Sequence, residues 1–185
     1  LIKILGGAQH SDRGEIVLDD QLVRFDSPNA AFNAGIAIIY KELNLVPALT
    51  AAENVFLGSE LTSAGFVRRA EQEERARELF ERVGADIDPE VPCSRLTVAE
   101  RQLVEIAKAL SLNARILIFD EPTSSLSSHE ADRLFDVINN LRQSGVGVIY
   151  ISHRLKEVQD LADRVIVLCD GKKVGELTRK EVDYN

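Results

Sequence analysis

Four short apolar runs along the chain show no regular alternation of apolar and polar residues. They occupy residues 36–40, 116–119, 146–151 and 165–169. Runs of this length and composition are typical of strands that are buried on both faces of a parallel sheet. Stretches with helical periodicity separate them, and strands that alternate with helices predict βαβ units and an α/β fold.

A different pattern lies near the start of the chain. Residues 14–18 and 21–25 are two short apolar stretches joined by a pair of aspartates, and they predict a small antiparallel hairpin. Ser27 followed by Pro28 then predicts the N-cap and the first position of a short helix, which ends near Gly35.

Residues 46–110 have a helical pattern and no convincing strand. The clearest helix covers residues 68–83, and a second one begins near residue 98. Their predicted buried residues are Ala76, Leu79, Phe80 and Val83 in the first helix and Leu103, Ile106, Ala107 and Leu110 in the second. The chain is therefore predicted to be one domain, with a helical subdomain at 46–110 inserted into an α/β core made of residues 1–45 and 111–185.

Composition and charge narrow the classes of function. The chain has 185 residues, of which 45% are hydrophobic and 28% are charged, as in an ordinary globular domain. Its net charge of −8 argues against binding of nucleic acid or of an anionic membrane by the whole surface, and we expect no nucleic-acid partner. No apolar run approaches the ~18–20 residues of a membrane span. Cys93 and Cys169 lie far apart and outside any metal-binding pattern, which fits a reducing compartment.

Two adjacent acids, Asp120 and Glu121, follow the apolar run at 116–119. Ligands of α/β sheets bind at the carboxyl ends of the strands, where this pair is predicted to lie. Because side chains alternate along a strand, one carboxylate can face a metal ion while the other faces a water molecule. In phosphoryl-transfer sites such groups hold Mg²⁺ and orient the attacking water. The alternative is an acidic pair that merely ends a strand.

Two other segments carry polar groups that could reach the same place. His153 follows the run at 146–151, which predicts an adjacent strand, although a purely structural histidine is the alternative. Residues 96–102 open a helix whose first-turn N–H groups and positive dipole end suit a phosphate. Thr97 and Glu100 also form a capping-box pattern, so a structural role explains this segment equally well.

Together these segments resemble the ATPases of ATP-binding cassette (ABC) transporters. Residues 96–100 lie where the family has its LSGGQ-type signature, and residues 116–121 resemble its Walker B strand with the catalytic glutamate. Ser124 and Ser125 match its D-loop, and His153 matches its switch histidine. The segments that are similar to the first cassette of monosaccharide importers are residues 35–43, 52–58 and 104–110. The resemblance covers essentially the whole chain.

The resemblance implies a P-loop NTPase (RecA-like) core with a small antiparallel β part at residues 14–26 and the helical subdomain as an insertion. It implies ATP and Mg²⁺ as ligands, with Ser124 and Ser125 of the D-loop among the residues that bind the nucleotide. Asp120 would hold Mg²⁺, Glu121 would polarise the attacking water and His153 would contact the γ-phosphate. The signature residues would bind the nucleotide of a second cassette through their backbone, and they are Leu96, Thr97, Val98, Ala99 and Glu100.

The function implied is the ATP-hydrolysing component of a carbohydrate importer, at the cytoplasmic face of the cell membrane. Its implied partners are a second cassette, transmembrane permease subunits and, indirectly, a sugar-binding protein. Val98 and Ala99 replace two glycines of the family signature, which we interpret as a mark of the sugar-importer subfamily. A cassette from a branch without membrane partners, and a degenerate cassette that no longer hydrolyses ATP, are the alternatives.

Two features depart from the family pattern. The phosphate-binding sequence G-x-x-x-x-G-K-[ST] does not occur in the chain, which begins at Leu1 inside an apolar run, so we expect a fragment whose start lies upstream. Binding of ATP to this fragment is expected to be no tighter than millimolar. Lys41 stands where the family has the Q-loop glutamine, and a lysine has only hydrogen-bond donors. Lys41 could instead pair with a phosphate of the nucleotide, so impaired hydrolysis and tolerance of the lysine are both open.

Overall fold

The computed structural model describes residues 1–182. Its α-helices are Ile2–Leu5 (α1), Pro28–Asn33 (α2), Ala51–Val55 (α3), Arg69–Arg82 (α4), Val98–Ser111 (α5), Ser128–Gln143 (α6) and Leu155–Leu161 (α7). Its strands are Ile16–Leu18 (β1), Gln21–Val23 (β2), Ile36–Ile39 (β3), Thr62–Ser63 (β4), Phe66–Val67 (β5), Ile116–Asp120 (β6), Gly147–Ile151 (β7), Arg164–Cys169 (β8) and Lys172–Thr178 (β9).

Strands β3, β6 and β7 form a parallel sheet with β6 in the middle. Leu117 and Phe119 of β6 belong to one hydrophobic cluster with α5 and α6, while Ile118 between them belongs to another cluster near α2. Each of these three residues is at most 1% exposed, because alternate side chains of a covered strand enter opposite layers of the core. The prediction of parallel strands is confirmed for these three runs, and that of burial on both faces is confirmed for β3 and β6. It is wrong for β7, whose residues are half-buried or exposed.

The same prediction is wrong for the fourth run, at residues 165–169. Strand β8 pairs antiparallel with β9 and has no pairing with the parallel sheet within residues 1–182. Its side chains are largely exposed, with Ile166 at 49% and Leu168 at 52%. The reason is local, because Asp170 and Gly171 both have positive φ and form a tight two-residue turn that returns the chain along β8.

The predicted hairpin near the start of the chain is confirmed as β1 and β2, which pair antiparallel. Asp19 and Asp20, in its turn, both have positive φ, as a type I′ turn requires. The helix predicted after it is also confirmed. The Ser27 hydroxyl accepts a hydrogen bond from the Ala30 N–H at 3.2 Å, with Pro28 at the first helical position.

Helices α3, α4 and α5 share a hydrophobic cluster of their own. The fully buried Asn54 side chain fixes the loop before α3, since its Oδ1 accepts from the Val46 N–H at 2.7 Å. Its Nδ2 donates to the buried Cys93 Sγ at 3.2 Å. The prediction of no strand in this region is wrong in one detail, because β4 and β5 form a short exposed hairpin around Ala64 and Gly65, both of positive φ.

No helix within residues 1–182 is both long enough and apolar enough to cross a membrane.

Candidate functional site

The carboxyl ends of β6 and β7 lie side by side, with Asp120 opposite Ile151. Glu121 follows directly and has a φ of 48°, a left-handed conformation that is uncommon and strained for a residue with a side chain. Its N–H donates to the Ile151 carbonyl at 3.0 Å, and its own carbonyl accepts from the Ser124 N–H at 3.2 Å. The chain therefore turns sharply at Glu121 and directs this residue to the edge of the sheet.

The Glu121 carboxylate contacts two side chains that are distant in sequence. Its Oε1 lies 3.0 Å from His153 Nδ1, and its Oε2 accepts from Lys41 Nζ at 3.3 Å. These contacts hold the pKa of Glu121 below its usual range, with the hydrogen bond to His153 as the largest cause and that from Lys41 next. The three predicted residues thus form one cluster, and its central carboxylate is ionised at neutral pH.

Asp120 is the last residue of β6 and is half-buried next to this cluster. Within residues 1–182, no group of three or more histidine, cysteine or acidic side chains is placed to hold a metal ion. A single carboxylate still fits Mg²⁺, which usually keeps several waters and binds phosphate oxygens beside one or two protein ligands. The chemistry of Asp120 is therefore compatible with the predicted cofactor.

Ser124 and Ser125 lie in the turn that joins β6 to α6. The turn is closed by the Leu126 N–H, which donates to the Thr123 carbonyl at 3.1 Å. Ser125 is exposed, whereas Thr123 is 2% exposed and anchors the turn to the interior. The structure thus places Ser125 on the surface and leaves Ser124 half-buried, both within four residues of Glu121.

The signature-like segment forms the start of α5. Thr97 Oγ1 accepts from the Glu100 N–H at 3.2 Å, and Glu100 Oε2 accepts from the Thr97 N–H at 2.7 Å, which confirms the capping box. The box uses two of the amide groups there and leaves those of Val98 and Ala99 as first-turn donors. Leu96 precedes the box in extended backbone. In the part of the chain that the structure describes, no hydrogen bond joins this segment to Glu121 or His153.

One buried acid near the cluster was missed by the sequence analysis. Glu157, in α7, is 5% exposed and accepts hydrogen bonds from Thr123, Tyr150 and Ser152. Tyr150, Ser152 and Arg154 lie within seven residues of Glu157, but Thr123 is 34 residues away, and the sequence around Glu157 does not show that its carboxylate is buried.

Solved structures of known proteins share this fold. The ADP conformation of MJ1267, described as an ATP-binding cassette of an ABC transporter, superposes with a TM-score of 0.84 at 21% identity, over 98% of this chain and 76% of that one. A nucleotide-free ATP-binding cassette from an ABC transporter gives a TM-score of 0.81 at 20% identity, over 96% of this chain and 74% of that one. Both confirm the predicted α/β fold of the P-loop NTPase class.

Sequence comparison gives closer relatives. The chain is 48% identical over 183 residues to ribose import ATP-binding protein RbsA 2 of Escherichia coli O157:H7, which covers 99% of this chain and 36% of that protein. It is 50% identical over 178 residues to ribose import ATP-binding protein RbsA 1 of Rubrobacter xylanophilus, over 96% of this chain and again 36% of the relative. The chain thus spans about a third of the length of these relatives. The sequence profile described as ABC transporter matches residues 1–124, and the chain belongs to the ABC transporter family.

Proposed function

We propose that the chain is a nucleotide-binding cassette that couples ATP hydrolysis to carbohydrate import. The observation that carries this proposal is the contact between Glu121 and His153, 3.0 Å apart at the carboxyl edge of the parallel sheet. The near-50% identity to ribose import ATP-binding proteins supports a pentose or related sugar as the cargo class. Transmembrane permease subunits, a second cassette and a sugar-binding protein are the proposed partners, at the cytoplasmic face of the membrane.

Glu121 is the proposed group that orients and deprotonates the attacking water. Its carboxylate is ionised at neutral pH, which a general base requires. His153 contacts this carboxylate through Nδ1, which leaves Nε2 for an oxygen of the γ-phosphate. The two side chains then act as a pair, in which the histidine fixes the direction of the glutamate.

Asp120 is the proposed ligand of Mg²⁺, whose charge neutralises the phosphates when MgATP is bound. The start of α5 is proposed to bind the nucleotide held by a second cassette, through the first-turn amides of Val98 and Ala99 and the positive end of the helix dipole. Ser124, half-buried, and Ser125, exposed, are the proposed D-loop contacts to the nucleotide.

The role of Glu121 is tested by Glu121→Gln in the chain joined at its amino end to a G-x-x-x-x-G-K-[ST] loop. Hydrolysis of MgATP is expected to slow about 10²–10⁴-fold, because the amide cannot accept the proton, while nucleotide affinity is retained. Glu130→Gln is the matched control, since Glu130 is another glutamate of lowered pKa but only caps α6. Equal turnover in wild type and Glu121→Gln would remove Glu121 from this role.

The transport assignment needs a separate test. The full-length protein is reconstituted with its permease subunits in vesicles, and ATP turnover is measured with the sugar-binding protein, with and without ribose. Stimulation of turnover by the ribose-loaded binding protein is expected of an importer. A rate of ATP turnover that is the same with and without the permease subunits and the binding protein would instead favour a cassette from a branch without membrane partners.

A specific observation favours a second candidate, a cassette that binds nucleotide but hydrolyses it poorly. Lys41 Nζ donates to Glu121 Oε2, the oxygen that does not contact His153, so both carboxylate oxygens are engaged. Lysine also lacks the carbonyl oxygen that a glutamine would offer to Mg²⁺ or water. In this candidate the ion pair with Lys41 prevents the Glu121 carboxylate from orienting the attacking water.

Lys41→Gln distinguishes the two candidates. If the ion pair suppresses hydrolysis, turnover by the form that carries the phosphate-binding loop is expected to rise about tenfold, which corresponds to ~1.4 kcal/mol of barrier. Lys41→Arg keeps the positive charge and is expected to stay at the wild-type rate. Equal rates for all three proteins, at measurable turnover, would show that the lysine is tolerated.

A further inference from the structure

The acid missed by the sequence analysis, Glu157, is the centre of a buried polar cluster. Its Oε1 accepts from Thr123 Oγ1 at 2.5 Å and from Arg154 Nη1 at 3.4 Å. Its Oε2 accepts from Ser152 Oγ at 2.6 Å and from Tyr150 Oη at 3.0 Å. Four donors therefore converge on one carboxylate that has 7% of its side chain exposed.

The partners of Glu157 flank the two residues at the centre of the candidate site. Thr123 lies two positions after Glu121, while Ser152 and Arg154 lie immediately before and after His153. The Ser152 hydroxyl also accepts a hydrogen bond from the Arg154 N–H at 2.9 Å, so the residues on either side of His153 are joined to each other. One carboxylate thus connects the turn that bears Glu121 to the loop that bears His153.

We propose that Glu157 is a positioning residue, which holds the Glu121 turn and the His153 loop at the separation that their 3.0 Å contact requires. Its importance for hydrolysis rests on the proposed function, whereas the positioning itself does not. Glu157 lies in a different element from both residues and forms no hydrogen bond with either of their side chains, so it acts through the segments that its partners belong to.

The chemistry of the cluster suits this role. Burial raises the pKa of Glu157, but the hydrogen bonds from Ser152, Thr123 and Tyr150 and the nearby charge of Arg154 lower it by more, so the carboxylate stays ionised. Only an ionised carboxylate offers acceptor sites to all four donors at once. Hydrogen bonds to a buried charge are short and directional, and such a group fixes backbone segments that apolar packing would leave free to slide.

The contact between Glu121 and His153 can be observed without nucleotide. The chain has three histidines, so the imidazole ¹H–¹⁵N correlations of His153 can be resolved, with those of His10 and His129 as internal references. Glu121→Ala defines the signals of His153 when the contact is lost. In Glu157→Ala and in the near-isosteric Glu157→Gln, the His153 signals are expected to move towards that reference at constant pH, while the other two histidines stay unchanged.

A matched pair of variants separates positioning from general stability. Thr123→Val and Tyr150→Phe each remove one hydrogen bond to Glu157 and preserve the shape of the side chain. Thr123→Val, beside Glu121, is expected to shift the His153 signals, whereas Tyr150→Phe is not, even where the two lower the unfolding temperature equally.

The proposal is overturned if a folded Glu157→Gln protein keeps wild-type His153 signals, or if Tyr150→Phe shifts them as far as Thr123→Val does. In the form that carries the phosphate-binding loop, Glu157→Gln is expected to lower kcat at least tenfold with little change in the KM for MgATP. Shifted His153 signals without that kcat loss would leave the positioning intact and contradict the proposed catalytic role of the Glu121–His153 pair.

Discussion

Two regions of this molecule each place a carboxylate that accepts hydrogen bonds at the terminus of a helix or strand, and the two are built differently. At the start of α5, Glu100 and Thr97 are three residues apart and satisfy each other's backbone amides. At the edge of the parallel sheet, Glu121 contacts residues that are 80 and 32 positions away, Lys41 and His153. The first arrangement forms wherever its helix forms, whereas the second exists only when the strands and loops of the whole core are in register.

The largest effect on stability is expected at Glu157, whose hydrogen bonds connect the turn after Glu121 to the loop that bears His153. The pKa of Glu157 is lowered in the folded chain, so its stabilisation is present above the unfolded value of ~4.3 and is lost as the pH falls through the folded value. Glu157→Gln is expected to cost about 1–3 kcal/mol in the free energy of unfolding at pH 7, measured by urea titration with circular dichroism. The difference from wild type should shrink below pH ~4.

Tyr150→Phe is the control for this titration, because it leaves the carboxylate in place and removes only one neutral donor. A difference between Glu157→Gln and wild type that stayed constant from pH 7 to pH 3 would show that Glu157 is not ionised in the folded chain.

A second comparison concerns the strained backbone of the sheet edge. Glu121→Gly and Glu121→Ala both remove the contacts to Lys41 and His153, but only glycine adopts a φ of 48° without steric cost. The glycine variant is expected to be more stable than the alanine variant by about 1–2 kcal/mol in urea unfolding, although both lack the proposed base. Alanine and glycine variants of equal stability would show that the turn at Glu121 carries no strain.

The smallest effect is expected at the local site. Thr97→Ala removes the hydroxyl that caps α5 and is expected to cost ~1 kcal/mol in the free energy of unfolding. The imidazole signals of His153 should not change, because the capping box is self-contained. A shift of the His153 imidazole signals in this variant would mean that the start of α5 and the sheet edge are coupled, so that the capping box is not self-contained.

The same contrast explains how much could be predicted from the sequence. The hairpin turn at Asp19 and the capping box at Thr97 follow from short-range geometry, and both were predicted correctly. The ends of β6 and β7 were also placed correctly, since parallel strands bring their carboxyl ends to one edge. The shared edge of the sheet thus brings Glu121 and His153 together although they are 32 residues apart in sequence.

What could not be predicted depends on partners that no pattern specifies. The burial of a strand is decided by what packs on it, so the apolar composition of β8 did not reveal that its side chains are exposed. The Glu157 cluster combines hydroxyl groups from a turn, a strand and a loop, each of which is individually ordinary. The pairing of Lys41 with Glu121 likewise required the completed core.

The rates at which the two cysteines are chemically modified can report local opening of the helical layer. Cys169, on the exposed β8–β9 hairpin, is open to an alkylating reagent at all times, whereas Cys93 is fully enclosed between α3, α4 and α5. Burial raises the pKa of the Cys93 thiol, which further slows its reaction because the thiolate is the nucleophile. The rate at which Cys93 is modified, relative to Cys169, therefore measures how often the layer of α3, α4 and α5 opens. It does not report opening at the edge of the parallel sheet.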